Sequence, residues 1–196
     1  GFGYNQWALK KGFRSSAATG YLRQARRRAN LTVVTRAHAT RILFSDKRAT
    51  GVEYLRGGGL TTATACREVI AAGGSFNSPQ LLQLSGVGPA ALMQKVGIGV
   101  VADLPVGLNL QDHYTARMVY ESTGAWTIND VVGSFGKSIA AALRYALFRT
   151  GPLAMGSSYA TGFIRADPAA ATPDVQTSIS LFSSNKAGDK LHEFPG

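Results

Sequence analysis

Several things that common enzyme classes need are scarce or missing from this sequence. One cysteine, Cys66, stands among 196 residues, which excludes an internal disulfide and any metal site built from cysteines. It sits in a segment that alternates polar and apolar and reads as a small strand residue. The three histidines, His38, His113 and His192, lie in separate segments with neither metal-ligand spacing nor a paired carboxylate. No G-x-S-x-G nucleophile elbow and no Walker loop occurs. Acidic residues are few, 11 against 21 Lys and Arg, leaving a formal charge of +10. Long apolar runs are missing as well. The most apolar region, residues 131–148, contains Lys137 and Arg144 and is broken by glycine and serine, so it cannot span a bilayer. No basic stretch followed by an apolar one opens the chain. The expected location is therefore the cytoplasm, with peripheral membrane association as the alternative.

What is present is an ordinary globular composition, 45% hydrophobic and 16% charged. A chain of this length buries one core, or one core and part of a second. The positive excess raises a basic nucleic-acid-binding domain as a competing function. Its best support is the cluster Arg23, Arg26, Arg27 and Arg28. That run lacks the interleaved aromatics that single-strand binding wants, and Lys137, Arg144, Lys186 and Lys190 lie far from it in sequence. A solvated helix face is the better reading, and no nucleic-acid partner is expected.

Along the chain, residues 1–14 are Gly-rich and irregular, with Phe2 and Trp7 as packing anchors. A helix starts at Ser15 or Ser16, either of which can cap it, and carries Ala17, Tyr21, Leu22, Ala25 and Ala29 at helical spacing. Residues 31–35 and 40–44 read as strands, the latter followed by a turn at Ser45-Asp46-Lys47. Residues 51–55 and 60–66 flank Gly57-Gly58-Gly59 and read as a β-hairpin. Further along come a short helix over 89–96, strands over 99–102 and 114–122, and one amphipathic helix over 130–149. Strands over 163–165 and 175–182 complete the pattern. No internal repeat or low-complexity tract is visible.

The centre of the sequence is Val69 to Pro89, VIAAGGSFNSPQLLQLSGVGP. An apolar strand over 69–72 meets Gly73 and Gly74, and a short helix follows. Pro79 suits its first position with Ser78 as cap, and Gly86 can close it in a left-handed conformation. A strand end, a Gly-Gly turn and a helix N-terminus together can hold a nucleotide or its phosphates.

The wording of this stretch is specific. Gly74-Ser75-x-x-Ser78-Pro79-x-Leu81-Leu82-x-x-Ser85-Gly86-Val87-Gly88 resembles the second signature of the glucose–methanol–choline (GMC) flavin oxidoreductases at every fixed position. Other segments are similar to that family too. They are Phe13–Ala18 with Tyr21-Leu22, Asn30–Val33, Ala49–Glu53, and Asp103–His113 (DLPVGLNLQDH), the last in a register one residue short. Thr150-Gly151-Pro152 and Pro173–Gln176 resemble later family landmarks.

The resemblance implies an α/β (α+β) fold: part of an FAD-binding Rossmann-like domain over 1–112, then part of an antiparallel-sheet substrate domain over 113–196. It implies FAD as cofactor, oxidation of an alcohol CH–OH group with hydride passing to flavin, and a small-molecule alcohol partner, the electron acceptor being open. Ala39 falls where the family contacts adenine through backbone, and Ala72, Gly73 and Gly74 fall where the strand end passes the adenosine. Tyr159 falls where choline-oxidising members carry a glutamate against the trimethylammonium group, which argues for a neutral alcohol. Neither the glycine-rich G-x-G-x-x-G opening nor the segment with the catalytic histidine is found, so no catalytic residue is expected here. Both ends read as cut, and the chain as an internal fragment inactive alone. His113 is expected to be structural rather than the base.

Overall fold

The structure is a computed structural model and describes residues 1–124, 126–156 and 158–183. In chain order the strands β1 (Phe2–Tyr4), β2 (Leu9–Lys10) and β3 (Phe13–Arg14) open the fold. A helical stretch follows, with π geometry over Ala18–Leu22 and α geometry in α1 (Arg23–Ala25). Then come β4 (His38–Ser45), β5 (Arg48–Arg56), β6 (Gly59–Thr64) and α2 (Gly74–Leu84). Next are β7 (Val87–Gly88), α3 (Ala90–Lys95) and β8 (Ala102–Asp103). The last elements are α4 (Ile128–Val132), α5 (Phe135–Phe148), a 3-10 turn (Pro152–Ala154), β9 (Ser158–Ile164) and β10 (Val175–Ser180).

The chain forms two compact units, one of Thr32–Tyr114 and one joining Gly1–Leu31 to the chain from Thr115 onward. In the first unit, β4, β5 and β6 make an antiparallel sheet in that order. The expected hairpin forms. Gly57 and Gly58 take φ of +58° and +84°, the pair of left-handed residues that a tight turn between right-twisted strands requires. Asp46, in the turn between β4 and β5, also sits at positive φ, 53°, which Asp tolerates better than most residues. Helix α2 lies against β4, and the Ile42 N–H donates to Ser85 Oγ at 2.7 Å. After it, β7, α3 and β8 form a miniature β-α-β with parallel pairing, Val87 opposite Ala102 and Gly88 opposite Asp103. Asp103 Oδ1 caps α3 by accepting the Ala90 N–H at 2.9 Å. Ile42, 5% exposed, and Met93, 1% exposed, centre this unit.

In the second unit β1, β9 and β10 form an antiparallel sheet, with β9 in the middle. The Phe2 ring lies across Gly162, where any Cβ would collide with it; its outer face stays exposed. Trp7 is anchored through Nε1, which donates to the Ser158 carbonyl at 3.2 Å. The helical segment begins with Ser16, whose Oγ accepts the Thr19 N–H at 3.4 Å. The Arg149 guanidinium lies 4.5 Å from the centre of the Phe13 ring and 5.2 Å from that of Tyr145. The Tyr145 hydroxyl donates to the Gly12 carbonyl at 3.0 Å, so the first residues are tied to α5.

Five expectations are corrected. Residues 31–35, 69–72 and 114–122 have strand-like composition but are not strands, because no described segment forms a ladder with them. A strand is defined by its partner, and propensity supplies none. The helix expected over 130–149 is two helices. Ser134, extended at φ −127° and ψ 118°, interrupts it after Gly133. The second strand of the hairpin stops at Thr64 rather than Cys66, and Cys66 is exposed. His192, Lys186 and Lys190 lie outside the described residues.

Candidate functional site

Gly73 takes φ −81° and ψ 2°, and Gly74 takes φ +85°. The backbone therefore turns sharply and enters α2 at Gly74 rather than at Pro79. Pro79 lies inside the helix. A proline there forfeits one helical amide bond but keeps a helical φ, and the surrounding turns carry the chain through it. Ser78 still serves the helix start from an unexpected position, its Oγ accepting the Gly73 N–H at 2.8 Å. The expected left-handed close is present: Gly86 follows the helix at φ +88°.

The two glycines are needed for different reasons. A Cβ at Gly73 would stand 3.0 Å from Asn77 Cβ and 3.3 Å from Ser78 N. A Cβ at Gly74 would meet nothing within 4 Å. Gly74 is therefore required by its left-handed backbone, and the space before it is open. The first-turn amides of α2 lack helical acceptors, and residues Ala72 to Asn77 are all exposed. This is a cradle of bare backbone at a helix start, open to a ligand on one side. Phe76, 74% exposed, stands within it as an apolar surface. Periodicity gave no reason to single out Phe76, since a lone aromatic in a helix reads as core.

Ala39 is exposed on β4 opposite Tyr54, next to a bulge at Thr40. Helix α2 packs on the same strand through Ser85, so Ala39 and the Gly73–Gly74 bend lie on adjacent elements of one unit. Beside Ala39, Thr40 Oγ1 donates to Glu53 Oε1 at 2.9 Å, and Arg41 binds the same carboxylate through Nε at 3.1 Å and Nη2 at 3.0 Å. The Arg41 hydrogen bonds first, then Thr40, hold the Glu53 carboxyl below the ordinary carboxylate range. An open cavity of about 470 Å³ lies between β4 and the far end of α2, with Arg41 as the charged residue among its lining. The bend does not line it, so cavity and bend are separate features.

Tyr159 lies on β9 in the second unit, 38% exposed. Tyr4 approaches it edge-on with ring centres 5.2 Å apart, and Trp7 stands 6.3 Å away. Asn5 Nδ2 donates to the Ser158 carbonyl at 2.9 Å and to Ser158 Oγ at 2.8 Å. The tyrosine is thereby set in an aromatic group fixed by backbone pairing. His113 is exposed, and its backbone N–H donates to Asp112 Oδ1 at 2.7 Å. No three His, Cys, Asp or Glu side chains gather into a metal-binding group among the described residues.

Comparison with known proteins gives this geometry a context. The chain is 41% identical over 198 aligned positions to the oxygen-dependent choline dehydrogenase of Burkholderia vietnamiensis, covering 100% of this chain and 35% of that protein. It is likewise 41% identical to the enzyme of the same name from Stenotrophomonas maltophilia, over 99% of this chain and 35% of that one. The chain thus spans about a third of the length of these relatives. Among solved structures, an FAD-dependent oxidoreductase from Chaetomium thermophilum superposes with a TM-score of 0.73 at 26% identity, over 84% of this chain and 30% of that one. Pyridoxine 4-oxidase from Mesorbium loti shares the fold, with a TM-score of 0.65 at 24% identity over 93% of this chain and 32% of its own. Residues 1–115 match the family model described as GMC oxidoreductase, and the chain accordingly belongs to the GMC oxidoreductase family.

Proposed function

We propose that this chain is part of an FAD-dependent oxidoreductase acting on the CH–OH group of an alcohol. The observation that carries the reading is the exposed Gly73–Gly74 backbone cradle at the start of α2, inside the segment that matches the family. Bound FAD would supply the hydride acceptor. The chain's own part is placement. Gly73, Gly74 and Ala72 offer main chain to the adenosine half, with Ala39 on the neighbouring strand contacting adenine through its backbone. Open space at Gly74 fits such an approach, and the unpaired first-turn amides favour an anionic group nearby. By role, residues 1–112 serve the flavin and 113–196 the substrate. By packing the division differs, because residues 1–31 fold with the later segment.

The relatives at 41% identity are named choline dehydrogenases, but Tyr159 supplies no negative charge to a trimethylammonium group. A ring face attracts a cation by about 0.5–2 kcal/mol, less than a desolvated ion pair provides. The substrate class proposed is a neutral alcohol. Two experiments on the full-length protein test the reading. The purified protein should be yellow, and its flavin colour should bleach when alcohol is added without oxygen. The substitution Tyr159→Glu should raise kcat/KM for choline relative to neutral alcohols. A colourless protein that does not take up FAD overturns the cofactor assignment, and an unchanged ratio overturns the role of Tyr159.

Location in the cytoplasm with peripheral contact to anionic lipid is the companion proposal. Residues 1–31 carry seven Lys and Arg and no Asp or Glu, and each cation near such a surface contributes about 1 kcal/mol. No helix among the described residues is long and apolar enough to cross a membrane. Salt-sensitive sedimentation with phosphatidylserine vesicles is the expected result, and failure to sediment at low salt removes the proposal.

A further inference from the structure

Helix α2 and its C-terminal cap residue send three side chains to backbone groups outside the helix. Ser78 Oγ holds the Gly73 N–H at the bend, and Ser85 Oγ accepts the Ile42 N–H of β4. The third, Gln83, donates from Nε2 to the Val106 carbonyl at 2.8 Å. That carbonyl belongs to the stretch leaving β8 toward Gly107–His113.

The surroundings of Gln83 are shaped to admit it. A Cβ at Gly88 would stand 2.9 Å from Gln83 Cγ, and a Cβ at Gly107 would stand 2.8 Å from Gln83 Nε2. Gly88 is buried, and Gly107 has φ +84°. Two glycines from separate segments thus leave room for one amide side chain. The stretch it grips is otherwise held to the rest of the unit by short pairing, with the Leu104 N–H donating to the Gly88 carbonyl at 3.1 Å. Beyond Gly107 the chain turns again at Asn109, φ +60°, and enters an exposed polar run through Gln111, Asp112 and His113.

We propose that Gln83 is a positioning residue for cofactor binding, tying the chain that leads into Asn109–His113 to the helix that starts at the Gly73–Gly74 bend. The inference rests on the flavin reading above and adds to it the element that keeps the two segments in register. A residue that merely filled space there would be replaceable by leucine. A donor to the Val106 carbonyl would not be, because leucine leaves that carbonyl without its protein partner.

The test uses the full-length protein with Gln83→Leu, which keeps the volume, and Gly107→Ala, which pushes on the same contact from the other side. Amide hydrogen exchange without cofactor and titration with FAD are the two readouts. Both variants are expected to speed exchange over residues 104–113 by about tenfold, the effect of losing one hydrogen bond. Exchange in β4–β6 should stay unchanged, and the FAD dissociation constant should rise severalfold. Unchanged exchange over 104–113 overturns the proposal, as does acceleration spread evenly through the unit. A loosened loop with unaltered FAD affinity also overturns it. Should one variant fail to fold, the other decides alone. If the unsubstituted protein binds no FAD, the flavin reading fails, whereas the exchange pattern still reports whether Gln83 holds the loop.

Discussion

At the scale of single residues, two glycines show how differently the same residue type is used. Gly74 needs its backbone angle and has empty space where a side chain would go. Gly74→Ala should therefore cost about 1 kcal/mol, the penalty of a left-handed L-residue. Gly86 needs both angle and space, since a Cβ there would run into the Gly99 carbonyl and stand 2.9 Å from Val101 Cγ2. Gly86→Ala should cost more than about 2 kcal/mol, and urea midpoints of the two variants should rank in that order. Charge acts at this scale too. Glu53 is held low by Arg41 and then Thr40, Asp130 by the Thr127 N–H and then its hydroxyl, and Asp174 mainly by the Ala166 N–H. A folded pKa below the unfolded one gives stability that is full above the unfolded value and lost as pH falls through the folded value. Stability should thus decline from about pH 4.5 downward, and Glu53→Gln should flatten the upper part of that decline in acid-titrated unfolding. The Gly-Gly bend was legible in the sequence because few residues besides glycine take the left-handed angle of Gly74. Ser78 was legible as a helix-start residue but not as one reaching backward, since side-chain direction depends on where the helix begins.

At the scale of elements, local chemistry gave good hairpins and poor unpaired strands. The Gly57–Gly58 turn joins neighbours in sequence, so its partner is near and the pairing follows from the turn. Residues 31–35 and 69–72 have equally strand-like composition, yet their partners would have to come from distant chain. Helix ends depended on caps that the sequence displays only in part. Thr127 and Asp130 form a reciprocal capping box at α4, with the Thr127 N–H donating to Asp130 Oδ2 at 2.7 Å. Thr127→Ala should lower stability by about 1 kcal/mol, read as a drop in the thermal midpoint. Apolar periodicity runs straight through Gly133–Ser134, which is why a single helix is the natural reading of 130–149. The break is backbone geometry at Ser134 and leaves no mark on the spacing.

At the scale of the molecule, the first strand pairs with one far along the chain, β1 against β9 at Phe2–Gly162, Gly3–Thr161 and Tyr4–Ala160. Removing residues 1–4 should unpair one side of β9 and loosen the Tyr159 aromatic group. Faster proteolysis within residues 158–164 is the expected readout, with cleavage in β4–β6 unaltered. Much apolar surface is exposed on helices α2 and α5, including Phe76, Phe135 and Leu147, and the relatives are about three times longer than this chain. Extension to that length is expected to reduce binding of a hydrophobic dye. The order of residues along the chain settled by itself the family, the hairpin, the glycine turns and the left-handed helix close, because each depends on residue types at short, fixed spacing. Folding in three dimensions settled which extended segments found partners, where α2 starts, which unit claims residues 1–31, and that Gln83 meets Val106. Those outcomes turn on contacts between residues remote in sequence, whose free energies no local pattern records.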